Sequence, residues 1–154
     1  MQNILDVCCG SKMFYYDKND KNVLFLDIRR EKHILCDGRK LDISPDVVAD
    51  FRNLPFANES FQNIVFDPPH MKTLGQRSWM AKKYGRLSKE NWKQDLKSGF
   101  EECWRVLKNG GSLVFKWNDS DIKASSVLKI FGTNPTLGQK RGNKTKWFVF
   151  YKNE

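Results

Sequence analysis

Residues 64–70 read Ile64-Val65-Phe66-Asp67-Pro68-Pro69-His70. Three apolar residues suited to a sheet are followed by two prolines, which cannot donate to a ladder and which stiffen the turn beyond it. The stretch predicts a strand whose carboxyl end presents a carboxylate, two rigidly held carbonyls and an aromatic ring. In an open α/β sheet that edge is where ligands bind. Acceptors gathered without donors suit gripping an –NH2 group while the ring stacks on whatever carries it. The same residues also suit a plain strand end whose aspartate caps the following turn.

Working outward, further short apolar runs read as strands: Ile4 to Val7, Val23 to Leu26, Val47 to Ala49, Ser112 to Trp117 and Trp147 to Tyr151. The last is continuous and bulky, as expected of a strand buried on both faces. Three runs end on an aspartate: Asp27, Asp50 and Asp67. Between the fourth and fifth strands, Trp92, Leu96, Phe100, Cys103 and Leu107 recur at helical spacing, with Ser88 as N-cap and Asn109-Gly110-Gly111 as the left-handed stop. A second helix is expected from near Ser120 to Phe131, ending at Gly132, and residues 132–146 read as a loop or weak edge strand. Strand, crossover helix and strand imply a parallel sheet with right-handed connections. The early crossovers are short: roughly a dozen residues separate Gly10 from Val23, close to the minimum for such a unit. Any first helix is a stub around Lys12 to Asp17. The fold class is therefore α/β, a compact doubly wound, mostly parallel sheet with shortened amino-terminal crossovers.

At 154 residues the chain is expected to form one domain, without room for a separate target-recognition domain. No apolar run approaches the ~18 residues of a membrane span, and no basic-then-apolar leader opens the sequence, so a cytoplasmic protein is expected. The net charge of +9 is unevenly spread: residues 71–154 carry eighteen Lys/Arg against seven Asp/Glu, whereas residues 1–70 carry nine against eleven. A basic half points to a polyanionic partner, nucleic acid before membrane. Cys8, Cys9, Cys36 and Cys103 have neither disulfide nor zinc spacing and read as small buried hydrophobes, so no metal is expected.

Taken together, these strand ends resemble the class I S-adenosylmethionine-dependent methyltransferases. Asp67-Pro68-Pro69-His70 is similar to the Asp-Pro-Pro-Tyr motif of the enzymes that methylate exocyclic amino groups of bases. Leu107-Lys108-Asn109-Gly110-Gly111 is similar to that family's Leu-Lys-Pro-Gly-Gly run. The resemblance spans Ile4 to Lys152 and implies S-adenosylmethionine as cofactor. On it, Asp6 on the first strand holds the cofactor's amino group, Gly10 admits the backbone closely, and Cys8 and Cys9 line the methionine moiety. Asp27 takes the ribose hydroxyls, Asp50 the adenine amino group, and Phe51 covers the adenine face. Two positions depart from the family pattern: Ser11-Lys12 replaces the usual second glycine, and His70 stands where a larger aromatic is usual.

The implied catalytic residues are Asp67, Pro68, Pro69 and His70, with direct methyl transfer and no cysteine nucleophile. Residues 71–87 interleave Lys72, Arg77, Lys82, Lys83 and Arg86 with Trp79 and Tyr84, a mix suited to phosphate contact and base stacking. Lys116, Trp117 and Asn118 open towards the same pocket, and Lys140, Arg141, Lys144 and Lys146 offer a second phosphate-contacting loop. The expected activity is methylation of an exocyclic base amino group in DNA or RNA, adenine N6 first. A partner subunit or homodimer would fit such a short chain. Two other readings stay open: a catalytically inactive nucleic-acid-binding or partner subunit, and methylation of a protein amide.

Overall fold

The structure, a computed structural model, describes residues 1–75 and 78–153. Its strands are β1 (Ile4–Asp6), β2 (Val23–Asp27), β3 (Glu31–Ile34), β4 (Lys40–Ile43), β5 (Val47–Val48), β6 (Phe61–Phe66), β7 (Leu107–Asn118), β8 (Leu137–Gly138) and β9 (Thr145–Tyr151). The helices are α1 (Trp79–Tyr84), α2 (Trp92–Val106) and α3 (Ala124–Phe131). Seven strands form one sheet in the order β5-β2-β1-β6-β7-β9-β8, and β3 and β4 form a separate hairpin. β1 lies parallel to β2 and β6, β2 to β5, and β6 to β7, while β9 runs antiparallel to β7 and β8. The chain first winds outward from β1 towards β5, then returns to β6 and winds the other way. The reversal falls between β1 and β6, and such a switch point opens a crevice at the strands' carboxyl ends.

One face of the sheet is fully buried. Leu5, Ile64, Phe66, Leu113, Phe115 and Phe150 point from it into a core closed by Leu96, Phe100, Cys103 and Val127 of α2 and α3. Phe100 and Phe131 stack with centroids 4.3 Å apart, joining the two helices. On the opposite face Ile4, Asn63, Val65, Ser112, Val114 and Val149 stay half-buried. The bulky run of β9 is therefore covered on one side only, contrary to expectation: Trp147 and Tyr151 are 37% and 45% exposed.

Several expected element ends move. No helix forms between Lys12 and Asp17; residues 11–22 are turns, from which Tyr15 packs edge-on against Phe25 at 4.8 Å. Helix α2 is capped at Asn91, not Ser88, whose hydroxyl instead accepts from the Asn91 amide. Asn109-Gly110-Gly111 does not end the helix. β7 begins at Leu107, directly after α2, and Gly110 (φ 74°) lies in an irregular stretch where β7 advances from Leu107 to Ser112 while β6 advances only from Phe61 to Asn63. Pairing with β6, and the bond from Gly110 N–H to the Lys152 carbonyl, outweigh the local preference for a cap. α3 starts at Ala124, later than Ser120, and ends at Gly132 as expected. Cys9 and Cys103 are buried, Cys8 is half-buried, and Cys36 is exposed, against the expectation of burial. Among the described residues no helix is long and apolar enough to cross a membrane.

Candidate active site

The crevice at the β1/β6 switch point is a cavity of about 570 Å³. Asp6 and Asp27 both line it, and they are the buried charged side chains among the described residues, 2% and 5% exposed. Burying a carboxylate is costly unless it is hydrogen-bonded, and both are. Asp6 Oδ1 accepts from the Cys8 amide at 3.1 Å and Oδ2 from the Tyr15 hydroxyl at 2.9 Å. Burial outweighs those bonds and lifts the Asp6 pKa to about 7. Asp27 Oδ2 accepts from the Gly10 amide at 2.9 Å, so the acid at the end of β2 pins the turn after β1. Its Oδ1 accepts from the Arg29 amide at 2.9 Å and Nε at 3.3 Å.

The turn between them explains one departure from the family pattern. Lys12, which stands in place of the second glycine, has φ 58°, the left-handed region a glycine would adopt freely. The backbone keeps the glycine's conformation, and its ammonium rests 4.1 Å above the Phe25 ring. Cys8 and Cys9 line the cavity, and burial pushes both thiols up, so neither is a thiolate nucleophile.

Asp50 and Phe51 reach the cavity two and three residues beyond β5. The Asp50 carboxylate is gripped by Arg52, whose Nε donates to both oxygens at 3.0 Å and whose Nη2 lies 2.6 Å away, which holds its pKa below the ordinary carboxylate range. Arg52 also donates to Asp95 of α2 at 3.0 Å. Phe51 packs edge-on against Phe66 at 5.5 Å and lies over Gly99, where a Cβ would sit 2.4 Å from the ring. A residue with a side chain at 99 would push Phe51 into the cavity.

All four residues of the Asp67 tetrad line the cavity as well. Burial raises the Asp67 pKa to about 6, opposed by Lys116, whose Nζ lies 3.6 Å from Oδ2. The His70 ring lies between Tyr84 and Trp117, with centroids 6.1 and 6.2 Å away. Burial, and then Lys116, lower its pKa, so the imidazole is neutral at physiological pH. Trp117 is core: its indole N–H donates to the Ile122 carbonyl at 2.7 Å and it backs His70.

The segment after the tetrad, described over residues 71–75 and 78–87, lies along the cavity as a strap and lines it through Met80 and Lys83 to Leu87. Asp121 receives the Lys72 and Thr73 amides at 2.7 and 3.2 Å, and Leu87 N–H returns to the Met71 carbonyl at 2.9 Å. Arg29 Nη1 donates to the Lys82 carbonyl at 2.7 Å, linking the strap to Asp27. Gly85 (φ 73°) meets Pro69 where a Cβ would be 3.1 Å from the ring, so both its backbone and its space require glycine.

The expected substrate residues divide accordingly. Lys83, Tyr84, Lys116, Trp117 and Asn118 line the cavity; Lys72, Trp79 and Lys82 do not. The Lys72 ammonium sits over the Trp92 ring at 5.5 Å, Trp79 is 44% exposed, and Lys82 points to solvent because its backbone is the part that Arg29 holds. Arg77 lies outside the described residues. The sequence offers Arg29 as an ion-pair partner of Asp27, which it is, but sequence reasoning missed its link to the strap, and it missed Tyr15, Asp121 and Gly85. Tyr15 alone had a visible cue, an aromatic run directly after the turn. The others act on partners distant in the chain: Arg29 on Lys82, Asp121 on Lys72, and Gly85 on Pro69.

Asp6, Asp27 and Asp67 share one cavity with the turn at Gly10, a set of acceptors whose chemistry fits a ligand bearing hydroxyls, an amino group and positive charge. Neither a protein-family model nor a curated protein sequence matches the chain. Solved structures resemble it in fold. A Pyrococcus horikoshii protein aligns with a TM-score of 0.61 at 15% identity, over 97% of this chain and 81% of that one. An S-adenosylmethionine-dependent methyltransferase from Methanosarcina mazei gives 0.56 at 13%, over 100% and 95%. Another from Leishmania major gives 0.53 at 13%, over 95% and 63%. The chain has the Rossmann-like fold of these methyltransferases.

Proposed function

We propose that this protein is an S-adenosylmethionine-dependent methyltransferase acting on an exocyclic base amino group of DNA or RNA, adenine N6 first. One observation carries the reading: a single cavity is lined by Asp6, Gly10 and Asp27 together with Asp67, Pro68 and His70. Asp27 would hold the ribose hydroxyls and Asp6 the amino group of the methionine moiety. The bound cofactor supplies a methyl group on a cationic sulfonium. Asp67 and the Pro68 carbonyl accept from the target –NH2, drawing its lone pair out of conjugation and aiming it at the methyl carbon. Asp67 or solvent would take the proton that the target nitrogen sheds once it carries the methyl group. Alignment and stabilisation of the charge developing on nitrogen supply the catalysis. A neutral His70 adds no repulsion to that charge and can stack on the base with Tyr84.

The nucleic-acid part rests on charge. Lys140, Arg141 and Lys144 are exposed in the loop leading to Thr145, a residue that lines the cavity, and Lys83 lies on the strap along it. Reversing Lys140 and Arg141 to glutamate lies outside the cavity and leaves cofactor binding intact. The slope of log affinity for nucleic acid against log salt is expected to fall by about 0.7–0.9 for each phosphate that the loop no longer neutralises. An unchanged slope and affinity would remove this loop from the substrate surface.

Cofactor binding itself should depend on pH with a definite sign. Asp6 and Asp67 have pKa values raised to about 7 and about 6, so both are largely protonated at pH 5.5. A cation seated between them must expel protons, so affinity rises with pH, by up to roughly tenfold per unit for each proton released, and levels off above about 7. The demethylated product, neutral at sulfur, should show a shallower rise. Calorimetric titration of both ligands from pH 5.5 to 8 checks this; two flat profiles would contradict it. Heating the purified protein and identifying the released ligand tests the cofactor directly.

A further inference from the structure

We infer that Lys116 is a specificity-determining residue which, paired with Asp67, reads an amino group attached beside an unprotonated ring nitrogen. The inference rests on the amino-methyltransferase reading above and narrows its target. Lys116 leaves β7 opposite Trp147, and its ammonium lies 3.6 Å from Asp67 Oδ2, 4.4 Å from the Phe14 ring centroid and 5.6 Å from that of Trp147. The rings and the carboxylate hold the charge in place, and both charged side chains remain about a quarter exposed, at 26% and 24%.

A fixed cation beside the acceptor is unfavourable for a site where positive charge develops on nitrogen, since like charges repel most where water is excluded. Its presence therefore calls for a compensating contact with the target. An ammonium has three donors and no acceptor, and a separation of 3.6 Å is longer than a tight charge-assisted bond, so donors remain for a ligand. The other cations at the cavity are turned to different partners: Arg29 to Asp27 and the strap, Arg52 to Asp50 and Asp95, Lys83 to the Tyr84 ring, and Arg86 to the Leu74 carbonyl.

Carboxylate and ammonium side by side make an acceptor-plus-donor pair. Asn and Gln amides present the same pair to adenine N6 and N7 when proteins read that base. Asp67 would take the –NH2 and Lys116 the neighbouring ring nitrogen. Adenine, with N1 and N7 flanking N6, and cytosine, with N3 beside N4, satisfy both partners. An alkylamine or an aniline-type amine has no adjacent acceptor and leaves Lys116 unmatched.

The test measures methyl transfer to single-stranded oligonucleotides carrying adenine, 1-deazaadenine or 7-deazaadenine, or cytosine or 3-deazacytosine, as the sole target. For the wild type, one deaza substitution should lower kcat/KM about ten- to a hundredfold, the range of one bidentate base contact. Lys116→Met should lose a similar factor on the natural base and nothing further on that deaza base, while Lys116→Arg keeps the dependence. Calorimetric titration with S-adenosylmethionine verifies that the Met variant is folded. Wild-type transfer to the natural base with no sensitivity to any deaza substitution, or equal sensitivity in Lys116→Met, overturns the Lys116 assignment alone. No transfer to any base overturns the proposed function and this inference with it.

Discussion

Replacing Asp67 by alanine is expected to lower methyl transfer by about 10²–10³-fold while the cofactor still binds. Asp67 follows β6 rather than belonging to it, and the fully buried neighbours that hold the strand, Ile64 and Phe66, are untouched. What the substitution removes is the acceptor that orients the target nitrogen. It also removes a negative charge that helps to raise the Asp6 pKa, so the pH at which cofactor affinity levels off should move down. Single-turnover transfer from labelled cofactor separates the two quantities. A variant that transfers at the wild-type rate would contradict the catalytic role of the tetrad.

Asp27→Ala should act on the other half of the site. Its carboxylate is 5% exposed and organises more than one neighbour, holding the Gly10 turn and, through Arg29, the strap along the cavity. Charge-assisted hydrogen bonds contribute about 1.5–3 kcal/mol each, and those to a ribose diol would go together with the anchored turn. A loss of about 2–4 kcal/mol in cofactor affinity is expected, roughly thirtyfold to a thousandfold. Calorimetric titration giving an unchanged affinity would remove Asp27 from the cofactor site.

Much of this site was legible because its parts are strand ends, and strand ends announce themselves locally. A short apolar run stopped by Asp27, or by Asp67 and two prolines, places its last residue at the sheet's carboxyl edge without knowledge of the rest of the fold. Asp6, Gly10, Asp27, Asp50 and Asp67 accordingly reach one cavity. Illegible features depend on partners far along the chain. Asn109-Gly110-Gly111 has the chemistry of a helix cap, yet pairing with β6 and β9 draws it into β7. The β3–β4 hairpin was missed because β4 alternates over four residues only, and β3, with polar Glu31, Lys32 and His33, buries none of its residues. Basic residues on the strap looked equivalent in sequence. Only the tertiary bonds separate Lys83, which faces the cavity, from Lys82, which serves through its carbonyl. The meeting of Lys116 of β7 with Asp67, just past the end of the parallel neighbour β6, likewise follows from register and not from spacing.

The central claim, transfer of a methyl group to a base amino nitrogen, is tested most directly by incubating the protein with methyl-labelled S-adenosylmethionine and separate pools of DNA, RNA and protein. Each nucleic-acid pool is then digested to nucleosides, and the labelled species is identified by mass. The account predicts label in DNA or RNA on an exocyclic amino nitrogen, N6-methyladenine first, and its loss with Asp67→Ala. Label on a ring carbon, label confined to protein, or no transfer by a protein that binds the cofactor would contradict it.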